Sequence, residues 1–296
     1  MLRSPFVFYG EIMNFTSLYL NKPFWKVTLG LAIPIALQNL LSASFSLVDT
    51  FMVAKLGGEH LAAMGIAGQW SWLLNIFTFG LVSGTSLFIA QYWGIKDIRS
   101  IHRTGGIAIT SAVIISLLFT IIAAAKPEFI ISIFSRTPEI VKYGSDYLRI
   151  AAYSYPAVAL NLIFCAILRS TEKVKLPVVI SLITAVSNAI LNYCLIFGTF
   201  GLPEMGIKGA AVATCISSWT GVIILLIISF MSRNILIAPL NEMFGFSLRN
   251  IVSFYRRALP IIFNEAAWGT GTVVINAIFS NMGDDYYTGV TIQSVK

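Results

Sequence analysis

Two acidic residues lie in parts of the sequence where a lipid bilayer would make them costly. Asp49 directly follows an uncharged run over residues 27–48, and Glu265 is the only charged residue between Arg257 and Asp284. A carboxylate at the centre of a bilayer costs about 2.5–3.5 kcal/mol or more, so such residues usually face a bundle interior or a water-filled path, where they often bind ions or protons. Both acids are therefore candidate ion-binding groups.

Amide and hydroxyl side chains elsewhere are candidate partners for Asp49. Asn188 and Asn192 are four residues apart, so they share one helix face. Their carbonyl oxygens are the hard ligands that sodium accepts, and their N–H groups can hold a carboxylate. Thr214 is a weaker candidate, because the small residues of its GAAVAT segment mainly favour close packing. Two alternatives stay open: the amides only join helices, or Asp49 is an interfacial acid paired with Lys55.

A second candidate site centres on Glu265. Pro260, five residues earlier, removes an intrahelical hydrogen bond and tends to kink a helix. An acid in such a place, with the Trp268 ring nearby, can attract an organic cation. The polar pair Gln38 and Asn39 is assigned to the same substrate cavity. The alternative is a structural acid satisfied by polar neighbours.

The elements that must position these residues are membrane spans. The chain is 57% hydrophobic and 11% charged with a mean hydropathy of +0.81, whereas a soluble domain is about 25% charged. About 20 apolar residues cross a bilayer. Seven runs meet that length, the last interrupted only by Glu265: residues 27–48, 61–95, 104–125, 150–168, 176–203, 209–232 and 258–283. An all-α integral membrane protein is predicted.

Basic residues concentrate in alternate connections between these runs. The segments on one side carry Arg3, Lys22, Lys26, Lys96, Arg99, Arg103, Arg169, Lys173, Lys175, Arg233, Arg249, Arg256 and Arg257. Those on the other carry Lys55, Lys126, Arg136, Lys142, Arg149 and Lys208. The positive-inside rule therefore predicts a multi-pass protein of the inner (cytoplasmic) membrane with a cytoplasmic N-terminus. Residues 1–26 lack a signal-peptide pattern and are predicted to lie along the interface.

The longest polar break, residues 233–257, divides the chain into two predicted units. Residues 27–232 form a lobe of six helices, and residues 258–296 begin a second lobe with a seventh helix. A shift of 226 residues supports a parallel repeat. The matched positions are Pro34-Ile35 with Pro260-Ile261, Gln38-Asn39 with Asn264-Glu265, Val48 with Val274, Gly57 with Gly283, Glu59 with Asp285 and Ile66 with Ile292. A second copy would extend past Lys296, so we expect the second lobe to be truncated and its first helix to make few contacts.

Several function classes lack their sequence signatures. There is no GxxxxGK[ST] and no GxGxxG after a strand, which argues against an ATP-driven pump. Cys165, Cys194 and Cys215 all lie within the apolar runs, so no disulfide framework or CxxC metal site is indicated. His60 and His102 form no zinc-ligand pair with them. We therefore expect a transporter rather than an enzyme, with no cofactor and an ion gradient as its energy source.

Five segments together resemble the multidrug and toxic compound extrusion (MATE) transporters. They are LVDTFMVAKLGGEHLAAMGIAGQ at 47–69, GLVSGTSLFIAQYWGIKD at 80–97, AILRSTEKVKLPVVI at 166–180, SNAILNYCLIFG at 187–198 and GIKGAAVATCISS at 206–218. The resemblance implies twelve helices in two six-helix lobes, and export of cationic amphiphiles in exchange for protons or sodium. It places the family's coupling residues on Asp49, Asn188, Asn192 and Thr214, and its seventh-helix acid on Glu265. Some members carry aspartate at the position of Asn192, and a small glycine-containing turn usually follows the position of Arg169.

The predicted function is therefore a cation-coupled antiporter that exports organic cations by alternating access. It is expected to act as a monomer, without nucleic-acid partners. One rival is a lipid-linked oligosaccharide flippase of the same superfamily. That rival should line its cavity with basic residues for pyrophosphate, and no basic residue is expected inside the spans. The other rival is a polytopic membrane protein that does not transport.

Overall fold

The computed structural model describes residues 22–281, which form ten α-helices and two short 3₁₀ turns. The helices are α1 Lys22–Ala54, α2 Gly58–Gly94, α3 Ile98–Ala125, α4 Pro127–Ser132, α5 Pro138–Ala151, α6 Tyr155–Ser170, α7 Lys175–Phe197, α8 Ile207–Met231, α9 Leu240–Met243 and α10 Leu248–Asn281. The turn Ala152–Ser154 joins α5 to α6, and Thr199–Gly201 follows α7.

Seven segments of the described chain are long and apolar enough to cross a membrane. They are α1, α2, α3, the combined segment α5–α6, α7, α8 and α10. The predicted number of spans and the all-α membrane fold are confirmed. The fourth span is longer than its uncharged run, because α5 begins at Pro138. Proline suits that first helical position, where its missing N–H would be unpaired, whereas the Thr137 side chain makes no capping hydrogen bond.

Several threonine hydroxyls inside the bundle are satisfied within their own helices. The Thr78 hydroxyl donates to the Leu74 carbonyl oxygen at 2.9 Å, and the Thr85 hydroxyl donates to the Leu81 carbonyl oxygen at 2.7 Å. A hydroxyl that donates one turn back removes the cost of an unpaired polar group in hydrocarbon. These spans can therefore bury threonine without building a binding site around it.

The segment between the predicted lobes differs from the expected linker. Helix α10 begins at Leu248, ten residues before the predicted boundary at 258. The arginines at 249, 256 and 257 suggested a polar break, but long basic side chains at a span end can extend toward water without ending the helix. The short helix α9 packs on α3, where the His102 Nδ1 lies 2.9 Å from the Glu242 Oε2.

Helix α10 packs closely along α2, so the expectation of a seventh helix with few contacts was wrong on this side. A Cβ added at Gly80 would lie only 2.7 Å from the Ile262 Cα. Glycine thus lets the two backbones approach, as small residues do in membrane helix pairs. Outside this contact α10 is more open, with Phe263 and Trp268 both exposed.

The repeat can be followed only in part. Pro34 and Pro260 lie inside α1 and α10, and neither proline interrupts its helix. The partners that the shift assigns to Gly57, Glu59 and Ile66 lie outside the described residues. The prediction of a repeat therefore rests on the two proline-containing helices.

Candidate ion-coupling and substrate site

The Asp49 carboxylate lies where α1 meets α7. The Asn192 Nδ2 donates to the Asp49 Oδ1 at 2.6 Å and to the Asn188 Oδ1 at 3.1 Å. The Asn188 Nδ2 in turn lies 3.3 Å from the Ser217 Oγ and 3.5 Å from the Thr214 Oγ1. One chain of polar contacts therefore runs from α1 through α7 to α8, and it brings together all four residues predicted for ion coupling.

Close packing of α7 on α8 makes this chain possible. A Cβ added at Gly209 would lie 2.5 Å from the Leu195 carbonyl oxygen. The small residues of the GAAVAT segment therefore permit close helix packing, as expected. Helix α7 spaces Asn188 and Asn192 one turn apart, and Asn192 is fully buried. The two amides thus form a rigid bridge between the acid and the hydroxyls of α8.

Two neighbours of this site were missed at the sequence level. Ser217 lies three residues after Thr214, a spacing that shares a helix face and could have identified it. Tyr147, on α5, lies beside both Thr214 and Asp49. Its position gives no such signal, because nothing in the sequence relates α5 to the helices that carry the other residues.

The interfacial alternative for Asp49 is not supported. The Lys55 ammonium lies 6.0 Å from the centre of the Phe197 ring. It is not among the ion pairs of the described residues, and the Asp49 carboxylate is held instead by the Asn192 amide.

The Asp49 site opens into a cavity of about 540 Å³, the coupling cavity. Its polar lining comprises Ser42, Ser46, Asp49, Asn161, Ser181, Thr184, Asn188, Thr214, Ser217 and Ser218. The buried Asn192 Oδ1 has no hydrogen-bond partner in the described chain. A carboxylate beside a free carbonyl oxygen and hydroxyls suits a proton or a sodium ion. No group of three His, Cys, Asp or Glu residues that could hold a metal occurs within residues 22–281.

A second cavity, of about 440 Å³, contains the Glu265 side chain and is called the substrate cavity. It is lined by Gln38, Asn39, Ser42, Trp72, Asn75, Ile76, Phe79, Val82, Leu162, Arg169, Glu265 and Trp268. All four residues predicted for a substrate cavity therefore share one space. The sequence analysis did not predict that Trp72 and Phe79 line this cavity, because the direction of their side chains depends on how α2 packs against α10.

Arg169 also lines the substrate cavity, which contradicts the expectation of no basic residue inside the spans. Helix α6 continues to Ser170, so Arg169 lies in its last turn rather than in the following connection. The Arg169 Nε donates to the Cys165 carbonyl oxygen at 3.3 Å. This cavity thus presents a guanidinium as well as a carboxylate.

The two cavities are neighbours. Both are lined by Ser42 and Leu162, and the Gln38 Nε2 donates to the Ser181 Oγ at 2.7 Å where α1 crosses α7. An acid held by the Asn192 amide thus lies near a second, mostly apolar and aromatic chamber. A sequence model of the MatE family matches residues 34–194, which include Asp49, Asn188 and Asn192. The chain belongs to the MATE family. It is a multi-pass membrane protein, and MATE proteins are transporters.

The curated relatives of this MATE chain are named as probable multidrug resistance proteins. NorM of Thermotoga maritima is 25% identical over 270 residues, 89% of this chain and 56% of that protein. YoeA of Bacillus subtilis is 28% identical over 69% of this chain and 44% of its own length. NorM of Rhizobium meliloti is 31% identical over 64% of this chain and 40% of its own length. The chain spans about half the length of these relatives.

Solved MATE structures share the fold. The multidrug transporter DinF-BH superposes with a TM-score of 0.81 at 21% identity, covering 91% of this chain and 59% of that one. An outward-facing multidrug resistance MATE transporter gives 0.77 at 21% identity, over 91% and 58%. A transporter of the MOP superfamily from Pyrococcus furiosus, described as having a binding pocket of reversed polarity, gives 0.78 at 20%, over 90% and 58%.

Proposed function

We propose that this chain supplies the ion-coupling lobe of an antiporter that exports cationic amphiphilic compounds in exchange for protons or sodium ions. Asp49 is the coupling carboxylate, and Asn188, Asn192 and Thr214 position it. Glu265 faces the substrate from the second lobe. The transport cycle itself is that of the whole two-lobe protein.

The observation that carries this proposal is the 2.6 Å contact between the Asn192 amide and the Asp49 carboxylate. Hydrogen bonds to an ionised group contribute about 1.5–3 kcal/mol, roughly twice as much as neutral ones. A proton or sodium ion that neutralises Asp49 weakens this contact and, with it, the attachment of α1 to α7. Ion binding can thereby shift α1 and change access to the adjoining cavities, since a ligand shifts a conformational equilibrium by its different affinity for the two states.

The lining of the substrate cavity favours organic cations with aromatic groups as substrates. A cation near Glu265 gains Coulomb attraction, and the Trp72 and Trp268 rings offer cation–π contacts. Arg169 modifies the original expectation, because an acidic group on the substrate also has a basic partner here. We therefore propose a preference for cations rather than a strict exclusion of every compound that carries an acid.

The flippase alternative gains one observation from Arg169. A pyrophosphate carrier needs basic side chains on its cavity, and Arg169 is the only one among the residues that line the two cavities. A single guanidinium that shares its cavity with a carboxylate is a poor match for a diphosphate, because the carboxylate repels the diphosphate. The antiporter therefore remains the better-supported function.

The decisive test measures efflux of a cationic dye from proteoliposomes that contain the complete two-lobe protein. A pH gradient and a sodium gradient are imposed separately on the wild type and on Asp49→Asn. We expect one gradient to drive efflux in the wild type, and Asp49→Asn to reduce it to the level of protein-free vesicles, because an amide cannot bind and release the ion. Asp146→Asn is the matched control, since Asp146 pairs with Lys208 at 3.2 Å, away from both cavities. Wild-type efflux by Asp49→Asn would contradict the assignment.

A further inference from the structure

A small polar cavity lies at the end of the molecule where α2 ends and α3 and α10 begin, apart from both cavities described above. Its volume is about 110 Å³, which exceeds the roughly 10–15 Å³ that one water molecule requires. Three helices contribute its polar side chains, which are Tyr92, Ser100, Arg103, Thr104, Asn250 and Ser253. Phe88, Ile107 and Phe254 form its apolar lining. Transport as proposed above uses none of them.

Most donors of this cavity are unpaired. Within residues 22–281, the side chains of Arg103, Thr104, Asn250 and Ser253 take part in none of the side-chain hydrogen bonds or short ion pairs. Thr104 is nevertheless 93% buried, being 7% exposed. Arg103 and Asn250 are half-buried and Ser253 is exposed, so the cavity is open to water and to ligands. A guanidinium, an amide and two hydroxyls that converge on one space can donate to a ligand with several acceptor oxygens.

One acid lies close to this cavity and is already engaged. The Asp97 carboxylate caps α3, accepting from the Ser100 backbone N–H at 3.1 Å and from the Ser100 hydroxyl at 2.6 Å. These bonds, together with the charges of Arg103 and Arg99, hold the pKa of Asp97 below its usual value. Asp97 thus offsets part of the positive charge of α3, and Ser100 is not available as a donor.

A larger, open cleft of about 700 Å³ adjoins the small cavity and shares Ser253 with it. Its other lining residues are Leu248, Arg249, Val252, Arg256 and Arg257. The three arginines take part in none of the ion pairs of the described chain, and the Arg257 guanidinium lies 5.5 Å from the centre of the Phe88 ring. Leu248 and Val252 are exposed at 77% and 58%. Basic and apolar side chains therefore lie next to each other at a membrane face.

We propose that this cleft is a binding site for an anionic phospholipid. Its phosphate group occupies the small cavity, the arginines of the open cleft neutralise the rest of the headgroup, and an acyl chain lies along Leu248 and Val252. Arginine pairs with phosphate through two parallel N–H···O bonds, and basic pockets between spans on the cytoplasmic side are known to take up anionic headgroups. The exposed apolar strip favours a lipid over free phosphate, which has no group to cover it.

Such a lipid would connect the two predicted lobes. Arg103 and Thr104 belong to α3 of the first lobe, whereas Asn250 and Ser253 belong to α10, which begins the second. The shared phosphate would add to the direct side-chain contact between these helices, in which the Tyr255 hydroxyl donates to the Ser111 Oγ at 2.6 Å. Binding can be measured without any transport assay, so its failure is distinguishable from a failure of the proposed function.

The test uses the purified 296-residue chain in detergent, with lipid retention followed by native mass spectrometry. Phosphatidylglycerol is titrated against phosphatidylcholine, which has the same phosphate but no net charge. We expect the anionic lipid to bind at least about tenfold more tightly, and Arg103→Gln to remove about tenfold of its affinity, as loss of a charge-assisted bond implies. Arg136→Gln removes an equal charge from the connection between α4 and α5, and should bind the lipid as the wild type does.

Ser253→Ala provides a second variant in case Arg103→Gln does not fold, with helix content by circular dichroism as the check. It should weaken binding of the anionic lipid by at least about fivefold, because one hydroxyl donor to the phosphate is lost. Equal retention of the two lipids would overturn the proposal, as would undiminished binding by both variants. Inorganic phosphate is titrated alone in a third arm. If millimolar phosphate binds in an Arg103-dependent manner and displaces phosphatidylglycerol, the site takes a soluble phosphate and the lipid assignment is wrong.

Discussion

Asp49 and Glu265 are both acids within membrane spans, yet their surroundings differ. The Asp49 carboxylate accepts an amide at 2.6 Å, and that amide belongs to a polar chain across three helices. Within residues 22–281, the Glu265 side chain takes part in no hydrogen bond or ion pair, and it shares a cavity with Trp72, Trp268 and Arg169. A fixed acid suits an ion that must bind at one point, whereas an unpaired acid among aromatic rings suits ligands of varied shape.

The helices that carry the two acids are also held differently. Helix α1 is joined to α7 by polar contacts, namely Asp49 with Asn192 and Gln38 with Ser181. Helix α10 is instead held against α2 by direct backbone approach at Gly80. Polar contacts respond to the charge on Asp49, while close packing does not. We therefore propose that α1 is an ion-sensitive joint and that α10 is a rigid wall.

The largest expected effect is all-or-none and concerns membrane topology, that is, which connections lie on the outer side and which on the cytoplasmic side. Glu139, in the first turn of α5, and Lys173, between α6 and α7, are both exposed, and the charge pattern assigns them to opposite sides. In intact cells, Glu139→Cys should react with a membrane-impermeant maleimide and Lys173→Cys should not. Because Cys215 is partly accessible, both variants are built on Cys215→Ser. Permeabilised cells, where both should react, serve as the control, and the reverse pattern in intact cells would invert the proposed orientation.

The next effect should be about tenfold, and it distinguishes the contributions of Glu265 and Arg169 to substrate choice. We expect Glu265→Gln to reduce efflux of cationic aromatic dyes by about tenfold through lost Coulomb attraction, while Arg169→Gln does not reduce their efflux, because it removes only repulsion. Dyes that carry both a cation and a carboxylate should respond to Arg169→Gln. The measurement is an efflux panel of size-matched cationic, zwitterionic and anionic dyes on the complete protein. Cationic dyes indifferent to Glu265→Gln would make Glu265 a structural acid.

The sequence was sufficient for the fold because seven long uncharged runs and a charge bias are direct consequences of membrane insertion. The sequence also predicted that Asp49 lies with Asn188, Asn192 and Thr214. Helical spacing places the two amides on one face of their helix, and the family resemblance indicated which helices come together. Segments that contact lipid must be apolar and segments in water can be charged, so the positions of the spans can be read from composition.

The residues missed are those whose role depends on which helices become neighbours. Tyr147 reaches the Asp49 site from α5, and Trp72 reaches the substrate cavity from α2, and neither position has a local signal. Arg169 was misplaced because a basic residue at the end of an apolar run was assumed to end the span. Whether such a side chain extends to water or lines a cavity depends on helix length and rotation, which the packing of α6 decides.

The smallest effect is a difference of about sixfold between two variants, and it tests whether the Asn192 contact acts on the ion or only joins two helices. Asn192→Ala removes the donor to the Asp49 carboxylate, and should lower gradient-driven efflux by about thirtyfold if a charge-assisted bond of roughly 2 kcal/mol is lost. Ser181→Ala removes the contact with Gln38 between the same two helices without touching Asp49, and should lower efflux by only about fivefold, as a neutral bond implies. Initial efflux rates under the driving gradient, at matched protein density, supply the comparison. Equal losses in the two variants would show that both contacts only fasten α1 to α7, and the Asp49–Asn192 pair would then lose its distinction from the rigid wall at α10.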